Sequence, residues 1–589
     1  MRKVLIANRG EIAARIARAC DDQGLESVAV YAGVDADAPH VSIATEAYAL
    51  RGATPSETYL DGAQLLEIAE RSGCDAVHPG YGFLSENGDF AEAVVEAGLT
   101  WIGPSAKAIR LLGDKVSARA VAMAAGAPLA PGSDGPVSTA DEIREFAILH
   151  GLPVVVKAAF GGGGRGMKVV DDLDEIDEAF ASAVREARLA FGRPECFVEK
   201  FLERPRHIEA QVLADAAGNV RVIGTRDCTL QRRNQKLVEE APAPFLSDEQ
   251  RAEIVDSAAE ILRNVGYVGA GTVEYLLDRN GMLSFLEVNT RLQVEHPITE
   301  ETSGIDLVAA QLRIASGEAL DLTEPVEPRC HAFEFRINAE DPGRGFLPSP
   351  GRVKRVQWPT GPGVRIDAGV RDGSIVPDQF DSLVAKIIVT GRTREEAIRR
   401  ARRALDECAI DGIPTVLPFH RLVLNRPEFT DAGSFSVHTT WIESELAERI
   451  EANPDFGVAP ASGDRTTFTI EVDGRRVELG VPAALAAALT GGGAHHGAHH
   501  GTRAEPGADA RGSDPGDGGA VRAPAPGILV KWLAEPGAIV EAQEPLAILE
   551  VMKTETWVLA HRPGRLGAHE LEPGAPVLAG TRLASITSV

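Results

Sequence analysis

The sequence of 589 residues is poor in cysteine and has no long apolar run. Its six cysteines are scattered and none belongs to a CxxC pair, which excludes a disulfide framework or a zinc motif and favours a reducing compartment. No stretch of about 20 apolar residues occurs, so no transmembrane helix is predicted. The first apolar run, Val4–Ala7, is too short for the hydrophobic region of a secretory signal, and we therefore expect a cytoplasmic protein.

Positive charge is also scarce in this chain. Lysine and arginine number 60 against 86 aspartate and glutamate residues, which gives a formal net charge of −26. This balance argues against a nucleic-acid-binding protein, because contacts to backbone phosphates need a positive surface. A local basic pocket for a small anion remains open. The length predicts about three to five domains.

The N-terminal part alternates strand-like and helix-like patterns. The apolar runs KVLIA, SVAVY, DAVHP and TWIG are separated by amphipathic helical segments. This alternation predicts a parallel, doubly wound sheet. Ligands on such sheets bind at the carboxyl ends of the strands, where the loops Ala7–Glu11 and His78–Asn87 lie. Each loop could equally be an ordinary glycine or proline turn.

Residues 115–330 form a second α/β region with a glycine-rich loop. The segment Val154–Val170 reads as strand, glycine loop and strand, and backbone N–H groups in such a loop can surround phosphate oxygens. Lys157 precedes the loop, where it could neutralise a phosphate; a plain glycine turn is the alternative. Further on, Glu199 could hydrogen-bond an adenine edge, and His207 shares a strand face with Glu209 unless this is only a charged surface.

The segment Ala270–Pro297 predicts a metal site. Glu274 lies on one strand, and Glu287 and Asn289 lie on the next strand of a hairpin. Two carboxylates and an amide oxygen suit Mg²⁺ bound with nucleotide phosphates.

The polar residues that follow predict an oxyanion site. Arg291, Gln293 and Glu295 alternate, so an extended segment would present them on one face, where they could hold a small oxyanion and remove its proton. A surface strand with an ion pair is the alternative. Burial is predicted by the apolar neighbours of these residues: Phe285, Leu286, Val288, Leu292 and Val294.

The C-terminal part predicts a mobile carrier. A hairpin over Thr466–Val481 is followed by a low-complexity stretch, Leu489–Gly519, which we expect to be a flexible tether. In the last domain the PG and EPGA segments recur at a constant offset of 37 residues, which predicts two similar β halves. Lys553 lies in the hairpin that joins the two halves, the position of a swinging carrier rather than of a core residue.

Together these segments resemble a known family. In this order, ANRGEIA, HPGYGFLSEN, GDK, GGGGRGM, EKFLERPRHIE, NTRLQVEHP and RINAEDP resemble biotin carboxylase, an ATP-grasp enzyme, over residues 1–445. Residues 521–589, with EVMKTE, resemble a biotin carboxyl carrier domain. The layout is similar to the α subunits of bacterial acetyl- and propionyl-CoA carboxylases. The chain departs from the family at Asn234, where histidine is common near the nucleotide, and at Thr554, where a methionine usually flanks the modified lysine.

The resemblance implies an α/β multidomain fold. We expect a Rossmann-like pre-ATP-grasp domain over 1–114, an ATP-grasp domain over 115–330, an α+β carboxylase C-terminal domain over 331–445, a hairpin region over 446–488, a linker over 489–519, and an all-β biotinyl/lipoyl-like hammerhead domain over 520–589.

The resemblance also implies site residues. ATP would be held by Lys115, Lys157, Gly161, Gly162, Gly163, Gly164, Arg165, Gly166, Glu199, Lys200, His207 and Asn234. Mg²⁺ or Mn²⁺ would be held by Glu274, Glu287 and Asn289. Bicarbonate would be positioned by Lys236, Arg291, Gln293 and Val294, with Glu295 as its general base. Arg336, in a strand pattern with Glu334, would stabilise the enolate of biotin, which is carried covalently on Lys553.

The implied activity is ATP- and bicarbonate-dependent carboxylation of biotin through carboxyphosphate. Too little sequence follows residue 445 for a carboxyltransferase, so we expect a separate β subunit, in a hetero-oligomer, to transfer the carboxyl group to acetyl-CoA or propionyl-CoA in fatty acid biosynthesis. A biotin protein ligase is a further expected partner. Four alternatives remain open: another acceptor (3-methylcrotonyl-CoA, a longer acyl-CoA or pyruvate), a non-biotin ATP-grasp ligase, a scaffold with a degenerate ATP site, and a lipoyl carrier.

Overall fold

A computed structural model describes residues 1–133, 135–158, 167–191, 194–322, 326–451, 465–472, 475–482, 519–525, 527–551 and 554–587. The chain divides into two units. The first comprises Met1–Ala339 and Pro350–Glu448, and the second comprises Glu340–Ser349 and Arg449–Val589. Among the described residues, no helix has the length and apolar character needed to cross a membrane.

The first unit begins with a parallel sheet, as the alternating pattern predicts. Its strands are β1 Lys3–Ile6, β2 Glu26–Tyr31, β3 Glu46–Ala49, β4 Ala76–His78 and β5 Thr100–Trp101, in the order β3-β2-β1-β4-β5. The helices are α1 Gly10–Asp22, α2 Pro39–Ile43, α3 Gly62–Ser72, α4 Gly88–Glu96 and α5 Ala106–Gly113. Val4 and Leu5 are fully buried in different apolar clusters, because successive strand residues point to opposite faces. The doubly wound arrangement is thereby confirmed, with β3 as a strand that the sequence analysis did not predict.

A small antiparallel sheet follows. It contains β6 Val154–Ala158, β7 Met167–Val170 and β8 Cys196–Lys200, in the order β7-β6-β8, with α6 Lys115–Ala124, α7 Ala140–His150 and α8 Ile176–Phe191. The predicted strands on both sides of the glycine-rich loop are therefore present. The loop itself, with Gly161, Gly162, Gly163, Gly164, Arg165 and Gly166, lies outside the described residues.

An eight-stranded antiparallel sheet provides the platform for the site. The strands from here to residue 411 are β9 Arg206–Ala214, β10 Val220–Arg232, β11 Gln235–Ala241, β12 Gly269–Leu277, β13 Leu283–Asn289, β14 His331–Asn338, β15 Glu340–Asp341, β16 Leu347–Pro348, β17 Gly351–Arg352, β18 Arg355–Gln357, β19 Val364–Ala368, β20 Ile375–Val376, β21 Leu383–Gly391 and β22 Ala409–Asp411. The sheet order is β13-β12-β9-β10-β11-β14-β21-β19. The sheet thus continues across residue 331, where the sequence analysis places a domain boundary.

Seven helices follow among the described residues of this part of the chain, and one of them begins at the site. They are α9 Asp248–Asn264, α10 His296–Ser303, α11 Leu307–Ala315, α12 Arg394–Glu407, α13 Leu417–Val423, α14 Pro427–Thr430 and α15 Ala447–Glu451. Glu295 is the N-cap residue of α10, so the chain turns sharply just after the NTRLQVE segment.

The second unit contains the predicted hairpin and repeat. The hairpin is formed by β23 Arg465–Val472 and β24 Arg475–Pro482. The repeat consists of β25 Ala520–Arg522, β26 Gly527–Trp532, β27 Ile539–Val540, β28 Pro545–Val551, β29 Thr554–Leu559, β30 Gly564–Leu566, β31 Pro576–Val577 and β32 Arg582–Thr587. Strands β26, β27 and β28 begin 37 residues before β30, β31 and β32, which matches the repeat in the sequence.

The two repeat halves exchange strands. One four-stranded sheet has the order β25-β32-β30-β27, and the other has the order β29-β28-β26-β31. Each half therefore contributes its short second strand to the sheet of the other half, which confirms a quasi-symmetric β module. Val551 pairs with Thr554 at the end of the β28–β29 hairpin. Lys553 lies outside the described residues, as does the expected tether over 489–518.

Candidate active site

Strand register places charged side chains next to one another in the eight-stranded sheet. Glu209 on β9 is paired in register with Arg226 on β10 and with Glu274 on β12. Lys236 extends from β11, and Arg336 extends from β14, the next strand in the sheet. Five strands of the sheet thus bring opposite charges together, and Glu209, Arg226 and Glu274 are almost completely buried.

Lys236 is the centre of this cluster. Its Nζ lies 3.0 Å from Glu274 Oε1 and 2.8 Å from Glu295 Oε1, and it also contacts Glu209. Burial alone would lower the pKa of Lys236, but the charges of the three carboxylates outweigh burial and hold this pKa well above its ordinary value. The site therefore keeps a permanent cation for an anionic ligand.

Glu295 is held as a carboxylate. Arg336 Nη2 donates to Glu295 Oε2 at 2.9 Å, and Lys236 donates to the other oxygen. Burial would raise the pKa of Glu295, yet the charges of Lys236, Arg336 and Arg226 hold it well below its ordinary range. A buried carboxylate that is ionised and lies between two cations can accept a proton from a bound substrate.

Arg336 also binds a second carboxylate, which the sequence analysis did not select. Its Nε donates to Glu239 Oε1 at 2.5 Å, and burial raises the pKa of Glu239 to about 7 despite this contact. Glu334 lies two residues earlier on β14 and is fully buried. Among the described residues neither oxygen of Glu334 has a hydrogen-bond partner, and burial raises its pKa well above the ordinary value.

The predicted metal ligands lie on the β12–β13 hairpin. Glu274 is directly opposite Glu287, and Asn289 is opposite Thr272. Burial and the neighbouring charge of Glu274 raise the pKa of Glu287. Like charges directly opposite one another destabilise a hairpin, so this donor set fits a divalent cation that would neutralise both carboxylates.

The segment after β13 differs from the predicted strand. Arg291 donates to Asn289 Oδ1 at 2.7 Å and to Glu86 Oε2 at 3.0 Å, whereas Gln293 and Glu295 turn toward Lys236 and its partners. The prediction of one extended face is wrong because this segment is not a strand: the backbone bends at Arg291 and turns at Val294 and Glu295 into α10. Glu86 belongs to the His78–Asn87 loop, so this loop does reach the site.

The predicted burial of the apolar neighbours is largely confirmed. Phe285, Val288 and Leu292 are buried and Val294 is half-buried, but the Leu286 side chain is exposed.

The residues predicted to bind ATP have defined partners in this structure. Lys157 Nζ lies 2.5 Å from Glu199 Oε2, and Lys200 Nζ donates to the carbonyl oxygens of Gly151 and Leu152. His207 Nε2 lies 2.8 Å from Glu274 Oε2, so the predicted nucleotide and metal ligands share a contact.

Two further predicted residues lie at exposed positions. Lys115 is the first residue of α6, and Asn234 lies in the turn between β10 and β11. Asn234 has a φ of 64°, a left-handed conformation that asparagine tolerates better than most residues.

A second layer of residues supports the site. Lys386 on β21 donates to the Val294 carbonyl at 2.8 Å and lies 3.0 Å from Glu11 Oε1, and Glu11 contacts the Tyr81 hydroxyl. The Ala7–Glu11 and His78–Asn87 loops therefore brace the Val294 backbone. The sequence analysis missed Lys386 because its partners are distant along the chain. The one feature of the sequence that could have indicated it is a lysine within an otherwise apolar strand.

Comparisons with known families agree with this architecture. The biotin carboxylase N-terminal domain matches residues 1–109, and the ATP-binding domain of the carbamoyl-phosphate synthase L chain matches residues 114–323. The biotin carboxylase C-terminal domain matches residues 334–444, and the domain of biotin-requiring enzymes matches residues 519–586.

Similar proteins cover either the whole chain or its first three quarters. The biotin-dependent acyl-coenzyme A carboxylase alpha3 subunit of Mycobacterium leprae is 55% identical over 99% of this chain and 98% of its own length. The biotin carboxylase of Haemophilus influenzae is 49% identical over 76% of this chain and 99% of its own length. The crystal structure of the biotin carboxylase domain of the Hydrogenobacter thermophilus 2-oxoglutarate carboxylase, in complex with MgADP, ADP and bicarbonate, has a TM-score of 0.69 and 42% identity; the match covers 77% of this chain and 99% of that one.

Proposed function

The chain belongs to the biotin-dependent carboxylases, as a biotin carboxylase joined to a biotin carrier domain, and we propose that it is the α subunit of an acyl-CoA carboxylase. The enzyme carboxylates biotin at the expense of ATP. Its α-subunit character implies a partner carboxyltransferase subunit. The acceptor that we propose is acetyl-CoA or propionyl-CoA, supported by the full-length similarity to an acyl-CoA carboxylase α subunit.

The observation that carries the residue assignment is the convergence of Lys236, Glu274, Glu295 and Arg336. Lys236 supplies the positive charge that attracts bicarbonate into a buried site. Glu295 accepts the bicarbonate proton, and the freed oxygen attacks the γ-phosphate of ATP to give carboxyphosphate and ADP. Carboxyphosphate then splits into CO₂ and phosphate.

Bound bicarbonate also makes Glu295 a stronger base. The low pKa of Glu295 depends on Lys236 and Arg336. An anion beside Lys236 shares that positive charge, so the affinity of Glu295 for a proton rises when the substrate is present. Proton removal is therefore coupled to occupation of the site.

Residues of this chain fit a divalent cation and biotin. Glu274, Glu287 and Asn289 would hold Mg²⁺ or Mn²⁺, which neutralises the nucleotide phosphates when bound. Biotin on Lys553 supplies a ureido nitrogen that accepts the carboxyl group, and Arg336 would stabilise negative charge on the ureido oxygen. For ATP we propose Lys115, Lys157, Glu199, Lys200, His207, Asn234 and the 161–166 loop, supported by their order in the sequence.

The remaining assignments extend the same proposal. The domain limits are those of the sequence analysis, supported by their nearness to the four matched regions. A biotin protein ligase would modify Lys553, and the six unpaired cysteines support a reducing cytoplasmic location.

The β23–β24 hairpin is our candidate for docking of the partner subunit. It forms a two-stranded sheet of its own rather than a part of the carrier sheets. Deletion of residues 460–490 should abolish co-purification of the carboxyltransferase subunit and leave biotin carboxylation intact. Unchanged co-purification would assign the docking surface elsewhere.

The activity is tested with purified full-length protein. We expect ATP cleavage that requires bicarbonate and Mg²⁺ and that free biotin stimulates. Incorporation of ¹⁴C-bicarbonate into acid-labile carboxylated biotin identifies the product. ATP cleavage that is independent of bicarbonate would contradict the proposed function, and an acyl-CoA panel with the partner subunit identifies the acceptor.

A further inference from the structure

Arg226 is a fully buried cation that the mechanism above does not use. It lies on β10 in the RDCTLQRRNQK segment and is paired in register with Glu209, a carboxylate that Lys236 also contacts. Its guanidinium makes five hydrogen bonds to side chains: Nε to Glu209 Oε2 at 2.9 Å, Nη1 to Gln211 Oε1 at 2.7 Å and Thr299 Oγ1 at 2.9 Å, and Nη2 to Thr272 Oγ1 at 3.2 Å and to Gln293 Oε1.

The contact with Gln293 fixes the direction of an amide. A glutamine amide has one accepting end and one donating end, whereas a guanidinium can only donate. Because Arg226 occupies the oxygen of Gln293, the NH₂ group must face the other way, and Nε2 donates to Glu274 Oε1 at 2.7 Å. A flipped amide would place N–H groups against the guanidinium of Arg226.

This direction matters for an anionic substrate. An oxyanion requires donors, and the NH₂ end of Gln293 faces the same carboxylate, Glu274, that Lys236 contacts. The reversed amide would present a lone pair to the anion beside Lys236 and would repel it. The buried arginine, which holds the oxygen end, and Glu274, which accepts from the NH₂ end, thus together keep Gln293 in the direction that attracts bicarbonate.

We propose that Arg226 is a positioning residue that locks the Gln293 amide with its NH₂ group toward the pocket and thereby sets the affinity for bicarbonate. This inference rests on the proposed function, because it requires that the pocket beside Lys236 bind bicarbonate. The hydroxyls of Thr272 on β12 and Thr299 on α10 also accept hydrogen bonds from the guanidinium, so the group is held in one orientation.

The test is a double-mutant cycle in full-length biotinylated protein. Arg226→Lys keeps the positive charge but loses the planar guanidinium with its several N–H donors. We expect the KM for bicarbonate to rise at least about tenfold, while the KM for ATP stays within about twofold. If Arg226 acts through Gln293, adding Arg226→Lys to Gln293→Ala changes kcat/KM for bicarbonate by less than about twofold. Additive effects of the two substitutions, or an unchanged KM for bicarbonate in Arg226→Lys, would overturn the proposal.

A matched control and a second variant complete the experiment. Arg221→Lys changes another β10 arginine, whose side chain bonds the carbonyl oxygens of Val220 and Leu322, and wild-type kinetics are expected. If Arg226→Lys does not fold, Gln293→Glu tests the same point, since it replaces the NH₂ group by a carboxyl oxygen. Bicarbonate saturation should then be lost with ATP binding retained, and a wild-type KM for bicarbonate would refute the orientation role. A wild type without bicarbonate-dependent activity overturns the proposed function itself.

Discussion

The carboxylate of Glu295 is ionised and buried between Lys236 and Arg336, each within 3 Å of one of its oxygens. Glu295→Gln keeps the size of the side chain and removes its ability to accept a proton. We expect kcat for bicarbonate-dependent ATP cleavage to fall by about 10²–10⁴-fold, the usual contribution of a general base. Nucleotide binding, measured by calorimetry, should stay close to wild type. Wild-type turnover in Glu295→Gln would remove this residue from the mechanism.

Burial lowers the pKa of several histidines, His296 among them, and makes the fold sensitive to acid. It lowers the pKa of His40 to about 4, of His78 to about 3 and of His420 to about 4, so the folded protein keeps them neutral. The unfolded chain binds protons at these side chains below about pH 6.5. Because the unfolded state then binds more protons than the folded state, stability falls as the pH drops from about 6.5 to 4.

His420→Gln isolates one of these contributions. His420 Nε2 bonds the Arg336 carbonyl at 2.7 Å, and glutamine can still donate to this oxygen. Each histidine of this kind makes the unfolding free energy fall by about 1.4 kcal/mol per pH unit in this window. Urea unfolding of the wild type and the variant at pH 7 and pH 5 should show a smaller loss in the variant. Equal losses would mean that His420 is protonated in the folded state.

The β12–β13 hairpin places two carboxylates opposite each other, and this arrangement predicts a stability effect. Glu287→Gln removes the repulsion between Glu274 and Glu287, so we expect the metal-free protein to gain about 0.2–1 kcal/mol. The same change should remove most of the thermal stabilisation that Mg²⁺ with ATP gives to the wild type. Unfolding temperatures in EDTA and in Mg²⁺·ATP measure both effects; Glu253→Gln, on α9 and outside the proposed site, is the charge-matched control. An undiminished response to Mg²⁺·ATP would exclude Glu287 as a ligand.

This hairpin also shows why part of the site could be predicted from the sequence. Glu274, Glu287 and Asn289 lie close together along the chain, and strand alternation with an Asn-Gly turn is enough to place them on neighbouring strands. Arg226, Glu239 and Lys386 escaped prediction because each has a partner that is far away in sequence: Gln293 for Arg226, Arg336 for Glu239 and Glu11 for Lys386. Only the fold of the eight-stranded sheet and of the elements packed around it brings these residues together. The bend at Glu295 was missed because an alternating polar pattern resembles a strand until a helix begins.

The carrier module shows the same contrast. The 37-residue repeat predicted two similar halves, and the strand bounds follow it. The exchange of short strands between the two sheets could not be read from the repeat, since the repeat fixes which residues are equivalent but not which strands pair. Closing each sheet with a strand from the other half makes the two halves depend on each other, so neither half should fold alone.

Replacing Lys553 should abolish delivery of the carboxyl group to a partner subunit but leave the carboxylation of free biotin intact. Carboxylation requires the site of the first unit, whereas delivery to a partner subunit requires biotin bound covalently to the carrier. Lys553→Ala should therefore retain bicarbonate-dependent ATP cleavage with free biotin, lose the mass of one biotinyl group, and lose acyl-CoA carboxylation completely. Intact mass spectrometry and the coupled assay with the partner subunit measure these effects, and Lys531→Ala, on β26 of the same module, is the matched lysine control. A biotinyl group that persists in Lys553→Ala would place the attachment site on another lysine and would remove the reason for assigning this hairpin to the carrier function.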